Sequence, residues 1–132
     1  MILATALTCL AMNIYHESRG EPVLGQYAVA LVTVNRAEAH KTRVCTEVLK
    51  SKQFSWTTHL VHKKKVVKAG TPTDLDAWKK AQTIARIVLA GKMQDVTHGA
   101  TFYHANRVTP KWRLAMVPTQ RIGNHVFYRQ VG

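Results

Sequence analysis

Acidic residues are scarce in this 132-residue chain, where seven Asp and Glu stand against 19 Lys and Arg and give a formal net charge of +12. Such a charge predicts attraction to an anionic partner, which can be nucleic acid, a membrane surface or a bacterial envelope polymer. Because 46% of the residues are hydrophobic, the composition argues against disorder. The length fits a single domain over residues 1–132 with one core.

The N-terminus also lacks an apolar run long enough to cross a membrane. The apolar N-terminus, MILATALTCLAM, is too short to span a bilayer. It has no basic region and no A-x-A type cleavage site before Asn13. We therefore expect no signal peptide, so that a protein of this kind needs another route of release if it acts outside the cytoplasm.

Cysteine is limited to Cys9 and Cys45. These residues can be two reduced, half-buried thiols, or they can form one disulfide, which requires an oxidising compartment. No CxxC pattern and no His/Cys ligand spacing is present, which argues against a zinc site. We expect neither a metal nor a cofactor.

Leu3, Leu7, Leu10 and Ile14 recur at a spacing of three to four residues, which is typical of a helix. The apolar stretch from Val23 to about Ala39 is rich in Val, but its length and its lack of turn residues favour a buried helix. We predict four helices, over residues 2–17, 22–39, 43–50 and 73–90. Thr42 and Thr73 are expected to cap the third and fourth helices. Gly20 and Gly91 are expected to end the first and the fourth.

Near the C-terminus the pattern changes to short aromatic and β-branched segments. ATFYHA (100–105) and HVFYRQ (125–130) are typical of strands, and Gly123-Asn124 precedes the second. We predict two antiparallel strands joined by a loop over residues 106–123. The predicted fold class is α+β, mainly α, with a small antiparallel β element near the C-terminus.

Two of the seven acids lie within one ten-residue segment, NIYHESRGEP, at residues 13–22. If Leu10 and Ile14 belong to the apolar stripe of the first helix, Glu17 falls on its buried side, at its C-terminal end. Burial and the negative end of the helix dipole both penalise an ionised carboxylate there. A carboxyl that keeps its proton suits a general acid. The alternative is a buried ion pair with Arg19, Arg36 or His16.

Glu21 differs because it precedes Pro22 at a predicted helix start. A carboxylate there meets the positive end of the helix dipole and free N–H groups, which favours a capping role. The alternative is that the two glutamates form the acid and carboxylate pair of a glycosidase. The sequence leaves both interpretations open.

Three further clusters combine groups that bind sugars or anions. Gln53-Phe54-Ser55-Trp56 and Phe102-Tyr103-His104-Ala105-Asn106 offer aromatic faces with amide and hydroxyl groups, although both can simply anchor a loop or a strand in the core. On a strand, alternation places Tyr103 on one face and Phe102 and His104 on the other. The basic patch comprises Lys63, Lys64, Lys65 and Lys68. It is either a solvated loop or a docking surface for an anionic envelope polymer.

Several of these segments resemble one known family, the spore cortex-lytic cell-wall hydrolases, which include bacterial germination enzymes and phage lysins. The resemblance begins with NIYHESRGEP, Gly25-Gln26 and Val34-Asn35-Arg36. It continues in order through Val44-Cys45, QFSW (53–56), ATFYH (100–104) and IGNHVFY (122–128). It covers about residues 10–129, with no match over 57–73.

The resemblance implies a lysozyme-like, mostly helical domain that acts on peptidoglycan glycan strands. It implies that Glu17 is the single catalytic acid and that Glu21 is not a nucleophile. The family is similar to lytic transglycosylases, which cleave between N-acetylmuramic acid (MurNAc) and N-acetylglucosamine (GlcNAc) without water and leave a 1,6-anhydro end. The groove residues that the resemblance indicates are Gln53, Ser55, Trp56, Tyr103, His104 and Ser18.

Other functions remain open at this point. A hydrolytic N-acetylmuramidase would share every motif, and a basic binding module would use Glu17 only as an ion pair. A metalloamidase would need ligand spacing that the sequence does not have. We expect no nucleic-acid partner, because the basic patch has no RRM, KH or helix-turn-helix signature near it.

The architecture also suggests a source. A compact, basic chain without a leader or a separate wall-binding module suits a monomeric phage endolysin. Such an enzyme is made in the host cytoplasm and released by a holin to act in the periplasm or cell wall. A virion-borne lysin is the alternative.

Overall fold

The structure is a computed structural model that describes residues 2–3, 5–50, 58–62, 65–69 and 72–132. Its helices are α1 (Ala6–Ser18), α2 (Val23–Arg36), α3 (Lys41–Lys50) and α4 (Leu75–Leu89), with a short 3-10 helix at Lys111–Ala115. Its strands are β1 (Ile2–Leu3), β2 (Thr58–His62), β3 (Lys65–Ala69), β4 (Phe102–Ala105), β5 (Met116–Ile122) and β6 (His125–Gln130).

Helix α1 lies at the centre of the fold, in contact with α2, α3 and α4. Leu10 and Ile14 of its apolar stripe are fully buried. Tyr15, also buried, accepts hydrogen bonds through its hydroxyl from the backbone N–H groups of Thr73 and Asp74, each at 3.0 Å. The end of α1, which carries Glu17, is thereby fixed against the start of α4.

A disulfide between Cys9 and Cys45 joins α1 to α3, with the two Cα atoms 5.2 Å apart. Both residues belong to the buried core. The alternative of two reduced thiols is therefore wrong. Closing a loop of this length is worth about 3–4 kcal/mol in chain entropy.

The four predicted helices are confirmed, with corrections at their ends. Helix α1 begins at Ala6, because Ile2 and Leu3 pair as a parallel strand with β2 instead. Helix α2 ends at Arg36, since Glu38 and Ala39 adopt positive φ angles of 53° and 61°, which no helix continues.

The two predicted threonine caps are wrong. Asp74 is the N-cap of α4, because its carboxylate accepts from the Ala77 N–H at 3.1 Å. Helix α3 already begins at Lys41, so Thr42 lies inside it. Gly91, with φ of 70°, directly follows the C-cap of α4 as expected.

The C-terminal sheet has the strand order β4-β6-β5 and is antiparallel throughout. The predicted pairing of β4 with β6 is confirmed, but the predicted loop between them is wrong, because it contains the 3-10 helix and β5. Pro118 and a register irregularity between Pro118 and Gln120 interrupt β5. Prolines are tolerated on an edge strand, which is the position of β5. The fold class, mainly α with a small antiparallel sheet near the C-terminus, is confirmed.

Asp95 ties the chain before β4 to the end of α2. Its carboxylate accepts from the Asn35 side-chain amide at 2.9 Å and from the backbone N–H groups of Thr97 and Gly99 at 2.8 and 3.0 Å. Burial raises the pKa of the Asp95 carboxyl, but these hydrogen bonds outweigh it and leave that pKa below its ordinary value. Asn35 also donates to the Ala100 carbonyl, which positions β4 beside α1 and α2.

Candidate active site

Glu17, near the C-terminal end of α1, lies where two cavities meet. The outer cavity, of about 780 Å³, is bounded by the end of α1, by β4 with the loop after it, and by the turn between β5 and β6. The inner cavity, of about 240 Å³, extends between α1, α2, α3 and β4. Glu17 and Tyr103 line both cavities, so the two form one groove.

The groove continues beyond the inner cavity. A third cavity of about 270 Å³ shares Arg36, Glu47 and Phe102 with the inner one. It reaches Lys50 at the end of α3 and Gln130 at the end of β6. Glu17 therefore lies along the groove and not at one of its ends, an arrangement that suits a chain-like substrate.

Tyr103 is the immediate neighbour of Glu17, and its hydroxyl donates to Glu17 Oε2 at 3.3 Å. Burial raises the pKa of Tyr103, the charge of Glu17 and this hydrogen bond raise it further, and the charge of Arg36 pulls it the other way. The phenol consequently keeps its proton and remains a hydrogen-bond donor to Glu17. Glu17 itself is half-buried, as a carboxyl that must reach both a protein partner and a substrate has to be.

The predicted alternation along β4 is confirmed by ring contacts. Tyr103 packs edge-on against His125, with ring centroids 5.0 Å apart, and against Phe127 at 5.6 Å. Phe102 and His104 both contact Trp112 instead, at 5.5 and 5.7 Å. The strand thus directs the Tyr103 side chain toward Glu17.

Glu21 lies on the same groove but is held by the turn between β5 and β6. Its carboxylate accepts from the Asn124 backbone N–H at 2.7 Å and from the Asn124 side-chain amide at 3.0 Å. His125 Nδ1 is 3.6 Å from Glu21 Oε1. The predicted capping of α2 by Glu21 is wrong, because the N-cap residue is Pro22 and that cap has no side-chain hydrogen bond.

Two other predicted residues line the outer cavity, but their polar atoms have protein partners. The Ser18 hydroxyl donates to the Ile14 carbonyl at 2.8 Å. His104 Nδ1 donates to the Ala105 carbonyl at 2.7 Å, so in the neutral ring Nε2 accepts from the Tyr128 hydroxyl at 2.8 Å. Gln53, Ser55 and Trp56 lie outside the described residues, and their roles stay predictions.

The structure adds groove residues that the sequence reading did not single out. Glu47 lines the inner cavity with Glu17 and is ion-paired with Arg36, Nε to Oε2, at 3.2 Å. Asn13, also buried in that cavity, accepts from the Thr33 hydroxyl at 2.8 Å. One signal for Glu47 was available, since it lies between the buried Cys45 and Val48 on a short amphipathic helix.

The described part of the chain has neither a candidate metal site nor a helix that could cross a membrane. Over residues 5–50 and 72–132, no three His, Cys, Asp or Glu side chains are grouped so that they could hold a metal ion. Within the same described segments, no helix has the length and apolar character that crossing a membrane requires.

Comparison with known proteins agrees with this groove. The chain belongs to the cell wall hydrolase family, whose model matches residues 20–128. That match begins after Glu17, so the assignment of Glu17 does not come from it. Family membership makes the protein an enzyme that degrades peptidoglycan, and it confirms the resemblance found in the sequence. No curated protein sequence matches the chain.

Two solved structures share the fold. One is the catalytic domain of the germination-specific lytic transglycosylase SleB from Bacillus anthracis, with 24% identity, a TM-score of 0.62, and coverage of 94% of this chain and 93% of that one. The other is the catalytic domain of the Bacillus cereus SleB protein, with 26% identity, a TM-score of 0.65, and coverage of 94% and 89%. The chain is thus similar in fold to both over nearly its whole length.

Proposed function

We propose that the protein is a lytic transglycosylase that cleaves the bond between MurNAc and GlcNAc in peptidoglycan, with Glu17 as its single acid and base. The observation that carries the proposal is the difference among the acids of the groove. Glu21 is held by two donors of Asn124. Glu47 is held by the cations of Arg36 and Lys50. Glu17 accepts from the Tyr103 hydroxyl and lies where the two cavities meet, so open space remains beside its carboxylate.

The reaction needs only one carboxyl if the substrate supplies the nucleophile. Protonated Glu17 gives its proton to the bridging oxygen, and the bond from that oxygen to C1 of MurNAc breaks. The C6 hydroxyl oxygen of the same sugar then attacks the oxocarbenium-like C1. Glu17, now a carboxylate, accepts the hydroxyl proton and is regenerated. Tyr103, which stays protonated, stabilises that carboxylate between the two steps.

The chain is similar in fold to the Bacillus anthracis SleB domain, which is the catalytic domain of a lytic transglycosylase. This similarity supports the choice of transglycosylation over hydrolysis. Hydrolysis usually needs a second carboxylate that positions a water. Glu21 and Glu47 have the partners named above, and Glu38, which lines the third cavity, is ion-paired with Arg43 at 3.1 Å. A hydrolytic N-acetylmuramidase on the same fold is the competing outcome.

Mass spectrometry of purified peptidoglycan digested with the protein tests the proposal. We expect muropeptides that lack one water and end in 1,6-anhydro-MurNAc. Reducing MurNAc ends would establish hydrolysis instead and would return attention to Glu21 and Glu47. Intact glycan strands would overturn the glycosidase assignment altogether.

We also propose that the protein acts outside the cytoplasm as a phage endolysin released by a holin. The disulfide between Cys9 and Cys45 supports an oxidising site of action. Expression in a bacterial host with and without a holin tests the proposal. We expect lysis only when the holin is present, whereas lysis without it would contradict this route of release.

The net charge of +12 supports docking of this enzyme on the anionic envelope. Lys63 and Lys64 lie outside the described residues, and the side chains of Lys65 and Lys68 on β3 are likewise not described. Replacing all four by Gln should slow digestion of intact walls, with a smaller effect on soluble glycan strands. An equal effect on both substrates would contradict a docking role.

A further inference from the structure

His125, at the start of β6, is a buried imidazole with an unsatisfied ring nitrogen. The residue is only 8% exposed, and it lines the outer cavity together with Glu17 and Tyr103. Its Nδ1 is buried without a hydrogen-bond partner, a property shared only with Thr101 Oγ1 among the side chains that the structure describes. Because an unpaired buried polar group costs free energy, its presence in the wall of a groove calls for an explanation.

His104 lines the same cavity but is satisfied within the protein. Its two ring nitrogens have the Ala105 carbonyl at 2.7 Å and the Tyr128 hydroxyl at 2.8 Å as partners. No hydrogen-bonding capacity of that ring is left for a ligand. Of these two imidazoles, His125 is therefore the one that can still bind a ligand through a ring nitrogen.

Glu21 determines which nitrogen of the neutral His125 ring carries the proton. Glu21 Oε1 is 3.6 Å from His125 Nδ1, which is too long for a good hydrogen bond but close enough for a strong electrostatic interaction. A lone pair on Nδ1 would be repelled by this carboxylate, whereas an N–H group is attracted to it. The proton therefore belongs on Nδ1, and Nε2 keeps the lone pair of an acceptor.

The ring is also held in place and kept neutral. It packs edge-on against Tyr103, with ring centroids 5.0 Å apart, and the Tyr103 hydroxyl donates to Glu17 Oε2 at 3.3 Å. Burial lowers the pKa of His125 and outweighs the opposite effect of Glu21 and Glu17. Since the ring lines the outer cavity while its Nδ1 is buried, Nε2 is the polar atom of the ring that a ligand in the cavity can reach.

We propose that His125 Nε2 accepts a hydrogen bond from the glycan strand in the outer cavity, donated by a sugar hydroxyl or an acetamido N–H group. This assignment rests on the proposed function, because it takes the glycan as the ligand of the groove. His125 is then a substrate-binding residue that holds the strand beside Glu17. Glu21 is a positioning residue, since it acts on the strand only through the tautomer of His125.

The first test is nitrogen-15 NMR of the histidine rings in the Glu17→Gln variant, which should bind glycan strands without cleaving them. The chain has seven histidines, and adding His125→Gln to that variant assigns the His125 signals. We expect a neutral ring with its proton on Nδ1. Soluble glycan strands should move the Nε2 signal in the direction of an accepted hydrogen bond and leave Nδ1 nearly unchanged. A proton on Nε2, or an unmoved Nε2 signal when the strands bind, would overturn the proposal.

The tautomer also separates a positioning role of Glu21 from a purely structural one. Glu21→Gln removes the negative charge beside Nδ1, so we expect a measurable share of the His125 rings to carry the proton on Nε2 instead. Glu38→Gln removes a glutamate from an exposed ion pair and should leave the tautomer of His125 unchanged. An unchanged tautomer in Glu21→Gln would overturn the positioning role.

Two substitutions at His125 separate the acceptor from the rest of the ring. His125→Asn keeps an amide near the position of Nδ1 and reaches no farther, whereas His125→Gln places an amide near the position of Nε2. Calorimetric binding of soluble glycan strands in the Glu17→Gln background should weaken about five- to tenfold in His125→Asn and less in His125→Gln, as expected for one hydrogen bond. Equal weakening in both would indicate lost packing and would overturn the proposal.

The control for this pair is His40→Asn, at an exposed position that lines none of the three cavities of the groove. It should bind the strands as tightly as the Glu17→Gln background does. If His125→Asn does not fold, the NMR titration, which retains the imidazole, still decides the role of Nε2.

The outcomes also separate this role of His125 from the function on which it rests. Cleavage of glycan strands by the wild type, together with an unmoved Nε2 signal, would overturn the acceptor role alone. If the wild type cleaves no glycan and the strands move no signal of the Glu17→Gln variant, the proposed function and the role of His125 both fail.

Discussion

Glu17 and Glu21 lie four positions apart on one groove and have opposite surroundings. Glu17 accepts from a phenol of β4 that packing directs toward it. Glu21 accepts from both the backbone and the side chain of Asn124 in the turn between β5 and β6. Glu17 therefore faces the groove, whereas Glu21 stabilises the turn between β5 and β6.

The difference teaches that burial alone does not separate the carboxylate that we propose to be catalytic from a structural one. The Glu21 side chain is only 10% exposed, and its carboxylate lies so close to the turn that a Cβ added at Gly123 would be 2.6 Å from Oε1. Glu17 is half-buried and lines two cavities. What separates them is the open space beside the carboxylate, since Glu17 lines both cavities while Glu21 is bound to the turn.

Among the variants that disturb the contact between Glu21 and the turn, Gly123→Ala should destabilise the protein most. Gly123 has a φ of 57°, and an added Cβ would lie 2.6 Å from Glu21 Oε1. We expect the free energy of unfolding to fall by roughly 2–4 kcal/mol from backbone strain and overpacking. Chemical denaturation measures it.

Two variants divide that cost. Gly91 has a φ of 70°, and a Cβ added there would have no atom within 4 Å. Gly91→Ala therefore carries the backbone strain of a positive φ without a steric clash. In a Glu21→Ala background the cost of Gly123→Ala should shrink toward that of Gly91→Ala. An unchanged cost in that background would contradict the close contact between Glu21 and the turn.

Glu21→Gln should lower the free energy of unfolding by about 2 kcal/mol, because a neutral amide replaces an acceptor that receives two charge-assisted hydrogen bonds. Glu38→Gln is the matched control, since it removes a glutamate from an exposed ion pair, and its effect should be near zero. Equal effects of the two variants would contradict a structural role for Glu21.

Tyr103→Phe removes the donor to Glu17 and keeps the ring packing. We expect kcat/KM on soluble glycan strands to fall by about three- to tenfold, which corresponds to about 1 kcal/mol for a long neutral donor. Tyr128→Phe removes a hydroxyl that bonds His104 instead, and it should leave kcat/KM closer to the wild-type value. A larger loss in Tyr128→Phe would indicate that His104 matters more than Tyr103.

Acid pH should lower the free energy of unfolding through His125, which lies next to Glu21. This is the smallest effect of the series. Burial lowers the pKa of His125 although Glu21 and Glu17 pull it upward. The fold therefore favours the neutral ring, so its contribution to stability is present above about pH 6.5 and is lost as pH falls toward the lowered value.

Thermal unfolding between pH 7 and pH 5 measures this loss. His125→Gln should flatten the dependence on pH, whereas His40→Gln, at an exposed position, should not change it. An unchanged slope in His125→Gln would contradict the assignment of the acid sensitivity to His125.

Much of the fold was predictable because it depends on local patterns. Apolar spacing, segment length and end signals such as Gly91 predicted the four helices, and the aromatic segments predicted β4 and β6. Strand β5 was missed because Pro118 and the register irregularity hide its alternation, and only its pairing with β6 makes it a strand. Leu3 fits a helical stripe, yet pairing with Val61 of β2 decides its conformation.

The candidate site was predictable only where one element carries it. The position of Glu17 at the end of α1 follows from spacing within a single helix. The bonds of Glu21 to Asn124 and of Arg36 to Glu47 join residues 103 and 11 positions apart. No local pattern contains such contacts, so the partner of each charge had to come from the tertiary structure.

The paired rates of Glu17→Gln and Glu21→Gln on soluble glycan strands, each divided by the folded fraction, decide between the two roles. We expect Glu17→Gln to lose about 10²–10⁴-fold in rate while its free energy of unfolding stays near that of the wild type. Glu21→Gln should remain within about tenfold of the wild-type rate. A Glu17→Gln variant that still cleaves glycan, or an equal loss of rate in both variants, would contradict the assignment of Glu17 as the single catalytic acid.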